Sequence, residues 1–331
     1  MITNLILVFI FFVIHFILDK NKKKIFVKNF LDIPNEARKI HKKPTYTIGG
    51  HFIFFAYIMF MLFSFDYNLN EKIILFIIFS FIFLIGIFDD LRDLKPVLKL
   101  TLVLVTYFIL FLLDNEYLLK KIYFETFNKV FYFGDFSFII SSLCILLLVN
   151  AINLMDGING LAIMTFTIIC SFLYFYLNIQ FNAYIFMVLV FIFFNIYRGR
   201  YFLGNSGSLI IGALIGFSTI KAYNLNFTEM NSAEDIFILF LIPGLDMLRL
   251  FLQRSLNKKN PFKADNMHLH HLLIKEFSLP KVLFIYFFLI ITSSYLAFND
   301  YLPEVIIIIV IIIIYFFSLL LLLKKKNRKF F

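Results

Sequence analysis

Long apolar runs recur along the whole of this chain, and they constrain its fold more than any other feature. Eleven can be counted, at 2–18, 49–65, 73–88, 97–113, 136–150, 160–177, 181–197, 208–222, 235–252, 281–298 and 305–323. Runs of this length are typical of helices that cross a lipid bilayer. The 331 residues are 61% hydrophobic, whereas a soluble domain is about half apolar. The sequence therefore predicts one all-α, polytopic membrane domain over residues 1–331, with about eleven transmembrane helices.

The basic residues indicate how these helices are oriented. If the N-terminus lies outside, 26 of the 31 Lys and Arg fall on inside segments. The five on the outside are Lys72, Lys120, Lys121, Lys129 and Lys221. Basic residues accumulate on cytoplasmic loops, so we expect an outside N-terminus and, after eleven spans, a cytoplasmic C-terminus. This placement also explains the net charge of +10 without a nucleic-acid partner.

A polar stretch at 150–162 separates two of the apolar runs. Asn150, Asn153, Asp156 and Asn159 recur every third residue among glycines. Three-residue spacing places Asn153 and Asp156 on one helical face. Amides and a carboxylate between membrane spans are costly and usually functional. The alternative is an ordinary polar turn.

Three carboxylates end the third apolar run, in the sequence Asp89-Asp90-Leu-Arg-Asp93. On a continuous helix Asp93 lies beside Asp89 and Asp90, so we expect the three to converge. Carboxylates this close repel one another unless a cation lies between them, and Mg²⁺ binds carboxylate and phosphate oxygens. A solvated helix end is the alternative.

Three further polar segments share the predicted cytoplasmic side. One is basic and contains Arg38 and His41, which at the headgroup level could hold a lipid phosphate. The second, Tyr201–Ser208, includes Gly-Asn-Ser-Gly-Ser and resembles a phosphate-binding turn. The third runs from Pro243 and Asp246 through Arg254 to His268-Leu-His270-His271. Because only one acid and no Cys accompany these histidines, we favour donors to a diphosphate over a zinc site.

Together, the collinear motifs resemble the polyprenyl-phosphate N-acetylhexosamine-1-phosphate transferases, glycosyltransferase family 4. The motifs are Asp-Asp-x-x-Asp, Asn-x-x-Asn-x-x-Asp-Gly, Gly-Asn-Ser-Gly-Ser, Pro-x-x-Asp with a downstream Arg, and His-x-His-His, and they lie between residues 30 and 275. The His-x-His-His pattern is similar to the histidine motif of the family branch that transfers N-acetylglucosamine 1-phosphate to undecaprenyl phosphate.

The resemblance implies transfer of an N-acetylhexosamine 1-phosphate from a UDP-sugar to undecaprenyl phosphate, with release of UMP. It implies an enzyme of the bacterial inner membrane with a cytoplasmic active site, which starts a surface glycan such as O-antigen. The oligomeric state is left open, with a homodimer as one alternative. The implied catalytic residues are Asp89, Asp90, Asp156 and His268. The implied substrate-binding residues are Arg38, His41, Asp93, Asn153, Arg254, His270 and His271. The implied metal ligands are Asp90, Asp156 and Asn205, for Mg²⁺ with Mn²⁺ as the alternative.

Two departures from the family pattern bear on activity. The milder one is Asn159, which stands where many relatives have Asp. Asn205 stands where the family has an Asp that contacts the metal, and an amide oxygen brings no charge. Asn205 favours a second hypothesis, a weak or inactive homologue that binds polyprenyl phosphate or scaffolds a glycan-assembly complex. A third hypothesis is a secondary transporter. The transporter hypothesis lacks an internal repeat to support it.

Overall fold

The computed structural model is a bundle of helices. It describes residues 2–26, 28–34, 43–63, 68–177, 183–225, 232–261 and 266–328. The helices are α1 (Ile2–Ile25), α2 (Gly49–Phe63), α3 (Leu69–Arg92), α4 (Pro96–Leu113), α5 (Ser137–Met155), α6 (Leu161–Tyr176), α7 (Ala183–Tyr197), α8 (Gly204–Leu225), α9 (Ala233–Leu256), α10 (Leu269–Leu273), α11 (Leu279–Phe298) and α12 (Glu304–Arg328). All except the short α10 coincide with predicted spans, so the all-helical prediction is confirmed.

Seven of the described helices are long and apolar enough to cross a membrane: α1, α3, α4, α5, α8, α11 and α12. Three more, α2, α6 and most of α7, are apolar but shorter. The chain is therefore a multi-pass membrane protein by the length and composition of its helices. The total of eleven spans and the outside N-terminus stay predictions.

Local sequence signals explain where several helices begin. Asn68 accepts a hydrogen bond from the Glu71 amide at the start of α3, and the Glu71 carboxylate accepts one from the Asn68 amide. Ser232 and Asp235 form the same reciprocal pair at the start of α9. Such capping boxes satisfy amides that have no partner within the helix. Pro96 opens α4, at a position where its missing N–H costs nothing.

Helix α8 is the centre of the bundle. Of its apolar window, 72% is buried, and it contacts α2, α3, α5 and α6. Small residues allow this close packing: a Cβ at Gly212 would lie 2.8 Å from Val149 Cα on α5, and one at Gly86 of α3 would collide with Ser206 Cα. Gly212 and Gly216 lie four residues apart in the eighth apolar run, a spacing that predicts close helix packing, and the contact at Gly212 confirms this prediction. As a result, the N-terminus of α8 is held against the ends of its neighbours.

Two short antiparallel hairpins accompany the helices. Strands β1 (Leu31–Asp32) and β2 (Thr45–Tyr46) pair before α2. The alternating aromatics Tyr123, Phe131 and Phe133 predict a small hairpin within 114–135. Strands β3 (Lys121–Phe124) and β4 (Lys129–Tyr132) confirm it, because they pair between α4 and α5. The segment before α8 runs alongside β2, because the Phe202 amide donates to Tyr46 O over 2.8 Å. These contacts fix the start of α8 beside the start of α2.

Candidate active site

The N-terminus of α8 receives the carboxylate of Asp90 from α3. Asp90 Oδ1 accepts a hydrogen bond from the Asn205 amide at 2.7 Å, and Oδ2 accepts one from the Ser206 amide at 3.0 Å. The first amides of a helix have no partner in the helix and carry partial positive charge, so they bind anions. Gly204 permits the approach: its φ is +76°, and a Cβ there would lie 2.9 Å from Asp90 Oδ2.

Asp89, the neighbour of Asp90, has different partners. Its Oδ2 lies 2.9 Å from Lys99 Nζ, and its Oδ1 accepts from the Leu94 amide at 2.8 Å. Both contacts lie just beyond the end of α3, and Asp89 is buried. Adjacent helical residues point about 100° apart, so Asp89 and Asp90 reach different sides of α3.

The expected convergence of three carboxylates is wrong. α3 ends at Arg92, and Asp93 is its C-cap in the left-handed region with φ 51°. Asp93 is exposed, and its amide donates to Asp89 O. Within the described ranges, groups of three acidic ligand atoms within 4.8 Å of one another occur only elsewhere, among Glu71, Asp114 and Glu116 and among Glu125, Asp300 and Glu304. The physical reason is that the helix does not continue to Asp93.

The 150–162 stretch lies against the same end of α8. Asn153 Oδ1 accepts a hydrogen bond from Ser208 Oγ at 2.6 Å. Asp156 follows the last residue of α5 as its C-cap. Burial and the charge of Asp90 raise the pKa of Asp156 well above its ordinary value, and the Gly204 amide only partly opposes this. Asp90 and Asp156 therefore both reach the turn that begins α8.

This carboxylate pair fits a divalent cation. Among the described residues no ion pair joins a Lys or Arg to Asp90 or Asp156, whereas Asp89 is paired with Lys99. Two nearby carboxylates without a counter-charge repel each other, and oxygen ligands are those that Mg²⁺ prefers. Each Asp90 oxygen keeps a lone pair beyond the one that accepts an amide. The Asn205 side chain, half-buried at the same turn, could add an amide oxygen.

Asp246 of α9 organises the histidine motif. His268 Nδ1 lies 2.8 Å from Asp246 Oδ2, and the Leu269 amide donates to Asp246 Oδ1 at 3.1 Å. With Nδ1 engaged by the carboxylate, Nε2 is the nitrogen left for a ligand. The position of His268 at the N-cap of α10 is thus fixed by a residue 22 positions earlier in the chain.

Two residues that sequence reasoning gave no role hold Asp246 in turn. The Tyr315 hydroxyl of α12 donates to Asp246 Oδ1 at 2.7 Å. Arg249 donates through Nη2 to Asp246 Oδ1 at 3.0 Å and through Nε to the Tyr315 oxygen at 2.7 Å. In the sequence, the signal for Tyr315 was a single Tyr hydroxyl within the apolar run 305–323. Lys99 was also missed, since it counted only as one of the inside charges.

His270 and His271 pack on the loop after Asp156. A Cβ at Gly157 would lie 2.5 Å from His270 Nε2 and 2.7 Å from His271 Nε2. His270 is 1% exposed, and neither of its ring nitrogens has a hydrogen-bond partner in the described part of the chain. Burial lowers its pKa well below the ordinary value, so the ring is neutral at pH 7. The histidine motif and the Asp-Gly loop thus form one surface.

The remaining predicted residues are placed less directly. Arg38 and His41 lie outside the described residues. Arg254 is buried two turns beyond Asp246 on α9, and its Nη1 donates to Pro261 O at 2.8 Å. At least one of its donors is therefore used to hold the loop that follows α9, rather than a ligand.

Comparison with known proteins agrees with the resemblance described above. Residues 72–223 match glycosyl transferase family 4. The chain is 29% identical over 275 residues to an undecaprenyl-phosphate alpha-N-acetylglucosaminyl 1-phosphate transferase of Thermotoga maritima, covering 82% of this chain and 80% of the relative. It is 26% identical over 287 residues to the protein of that name in Escherichia coli O157:H7, covering 82% and 76%. A decaprenyl-phosphate N-acetylglucosaminephosphotransferase of Mycolicibacterium smegmatis is 31% identical over 154 residues, covering 39% and 38%.

Proposed function

We propose that this chain, which belongs to glycosyl transferase family 4, transfers N-acetylglucosamine 1-phosphate from UDP-N-acetylglucosamine to undecaprenyl phosphate. UMP is the second product, and the undecaprenyl-diphosphate sugar starts a surface glycan. The observation that carries the proposal is the meeting of Asp90, Asp156, the α8 N-terminus and the histidine motif in one place. The names of the relatives support the substrate class.

The reaction joins two polyanions, so the site must neutralise charge. Phosphoryl transfer depends mainly on positioning and on electrostatic stabilisation of the transferred group. Asp90, Asp156 and the Asn205 side chain would hold Mg²⁺ or Mn²⁺, which when bound would neutralise part of the charge on the UDP-sugar diphosphate.

The histidines have different roles in this proposal. His268 presents Nε2 to a diphosphate oxygen while Asp246 holds its Nδ1 side. Neutral His270 and its neighbour His271 line the sugar side against Gly157. Asn153 Oδ1 accepts a hydrogen bond from Ser208 Oγ, so Asn153 orients the first turn of α8. Its side-chain amide would also bind the nucleotide.

No strong general base is required, because a phosphate monoester is largely doubly ionised at pH 7. Asp89 forms an ion pair with Lys99. We propose that Asp89 orients the Lys99 ammonium group toward the lipid phosphate. Arg38 and His41 would serve the same phosphate at the membrane surface. The excess of basic residues on one side supports a position of this site at the cytoplasmic face of the inner membrane.

Asn205 favours one alternative, a weak or inactive homologue that binds polyprenyl phosphate. The lost charge should reduce metal affinity. The contact that residue 205 makes with Asp90, however, uses its backbone amide, and this is the same for Asn and Asp. We therefore favour an active enzyme.

The test is UMP release by the purified full-length protein with undecaprenyl phosphate, Mg²⁺ and UDP-N-acetylglucosamine. We expect turnover that is lost in Asp156→Asn and kept in Asp135→Asn, an exposed carboxylate before α5. No turnover with any UDP-N-acetylhexosamine, together with retained binding of undecaprenyl phosphate, would support the non-catalytic alternative instead.

A further inference from the structure

One ionisable side chain of α1 lies among apolar rings inside the bundle. His15 belongs to a helix that is long and apolar enough to span a membrane, and it is 3% exposed. Three rings surround it, with centroids 6.1, 4.3 and 4.7 Å from its imidazole for Phe11, Phe52 and Phe191. An ionisable residue inside a membrane span is costly and usually marks a functional contact. The candidate active site described above does not include His15.

The partner of His15 is Tyr201, in the segment that precedes α8. His15 Nε2 lies 3.0 Å from the Tyr201 hydroxyl, although the two residues are 186 positions apart. Tyr201 is 0% exposed, and its ring packs on Phe52 of α2 with the centroids 4.9 Å apart. Because both side chains are buried, removal of either one leaves a polar atom of the other without a partner, which is costly.

A second contact joins α1 to the same segment. Lys22 Nζ donates a hydrogen bond to Arg200 O at 3.0 Å. The same ammonium group lies 2.9 Å from Asp19 Oδ1, one turn earlier on α1. Two successive residues before α8, Arg200 and Tyr201, are therefore held by side chains of the first helix.

Helix α2 holds the two residues that follow. The Gly49 amide donates to Phe202 O at 2.8 Å, and the Gly50 amide donates to Leu203 O at 2.9 Å. Every residue of the segment 200–203 thus has a hydrogen bond to α1 or α2. The position of the first turn of α8 depends on these contacts, because the turn follows the segment directly.

We propose that His15 and Tyr201 are positioning residues, which hold the α8 turn where it presents Asp90 to a divalent cation. The inference rests on the proposed function. The Asn205 and Ser206 amides hold the two Asp90 oxygens at 2.7 and 3.0 Å, so a shift of the turn moves the carboxylate. Mg²⁺ demands near-octahedral ligands at about 2.1 Å, and a misplaced carboxylate binds it more weakly. On this inference α1 is part of the scaffold of the site as well as a membrane span.

The test is Mn²⁺ binding to the purified full-length protein, followed by electron paramagnetic resonance, in which bound Mn²⁺ loses the sharp signal of the free ion. Binding at the candidate site is the part that Asp156→Asn removes. Tyr201→Phe and His15→Leu should each raise the half-saturating Mn²⁺ concentration of that part about three- to tenfold, the effect of one hydrogen bond. The double variant should raise it no further than a single one, since both changes remove the same contact.

The matched control is Tyr107→Phe. Tyr107 is also 0% exposed, but its hydroxyl has no hydrogen-bond partner among the described residues. This change should leave the Mn²⁺ titration as it is in the parent protein. His15→Gln keeps a side chain that can form hydrogen bonds, and it should restore most of the affinity that His15→Leu loses. If His15→Leu does not fold, Tyr201→Phe decides the outcome, because it keeps the packing of the ring.

UMP release separates this inference from the proposed function. In Tyr201→Phe the rate should fall at low Mg²⁺ and recover at high Mg²⁺, with KM for the UDP-sugar unchanged; a loss of folded protein would not recover. The inference is overturned if the parent shows no Mn²⁺ binding that depends on Asp156, or if Tyr201→Phe gives the parent's titration. A parent that binds Mn²⁺ at this site but releases no UMP contradicts the proposed function, and the Mn²⁺ titrations still decide the role of Tyr201.

Discussion

The Tyr315 hydroxyl donates a hydrogen bond to Asp246 Oδ1 over 2.7 Å and so joins the middle of α12 to the middle of α9. The other oxygen of Asp246 holds His268 Nδ1. A residue within the apolar helix α12 thus reaches the histidine motif through one carboxylate. This arrangement makes Tyr315 a positioning residue for His268.

Tyr315→Phe should lower kcat about 3- to 10-fold and leave KM for the UDP-sugar nearly unchanged. The substitution removes two hydrogen bonds, the one that Tyr315 donates to Asp246 and the one that it accepts from Arg249, each worth about 1 kcal/mol, but keeps the packing of the ring. His268 then samples orientations that are unproductive in the transition state. Steady-state UMP release gives both constants. Ser318→Ala, which removes an exposed hydroxyl from the same helix, is the control; an equal loss of kcat there would argue against a specific role for Tyr315.

Gly157→Ala should abolish most activity while the protein remains folded. The added methyl would lie 2.5 Å from His270 Nε2, so the histidine pair must move away from the Asp-Gly loop. Gly244→Ala is the matched control, because its Cβ meets nothing within 4 Å. That change should keep activity and add about 1 kcal/mol of stability, since Ala favours a helix interior. Full activity in Gly157→Ala would remove this contact from the site.

Asn205→Asp should lower the Mg²⁺ concentration that gives half-maximal rate. The new carboxylate adds a charge beside Asp90 and Asp156, and metal affinity rises with the charge of the ligands. The backbone amide that holds Asp90 is kept, so the fold of the turn should not change. Asn205→Ala provides the opposite arm and should raise the Mg²⁺ requirement. If the Mg²⁺ titration is the same in all three proteins, residue 205 does not contact the metal.

The thermal midpoint should fall as the pH drops from 7.5 to 5.5, in part because of His270. Burial lowers the pKa of this histidine in the folded protein, so only the unfolded chain takes up its proton just below pH 6.5. His270 therefore does not reduce the free energy of unfolding above about pH 6.5. Below that pH it lowers the free energy of unfolding by about 1.4 kcal/mol per pH unit.

His270→Gln isolates this contribution, because the amide does not titrate. The fall in midpoint between the two pH values should be smaller in the variant than in the parent protein, when both are measured in the same detergent. An identical fall would mean that His270 takes up its proton in the folded state as well.

The sequence by itself determined the class of fold and the set of polar motifs. Apolar runs of membrane length predict helices, because backbone N–H and C=O groups in lipid find hydrogen-bond partners within a helical segment. The positions of Asn153, Asp156, Asn205 and the histidines could be recognised as unusual because polar residues are costly beside such runs. The hairpin at 114–135 was also predictable, since its alternating aromatics are a local signal.

Only the tertiary structure decided which of these side chains meet. Asp89 and Asp90 are identical in type and adjacent in sequence, yet one pairs with Lys99 and the other with the amides of α8. That choice depends on the direction in which each points from α3 and on the neighbour it faces there. Tyr315 and Asp246 are 69 residues apart, and no local pattern relates them. The periodicity of a segment predicts the environment that the segment contacts. Its partners distant in sequence are fixed only by how the whole bundle packs.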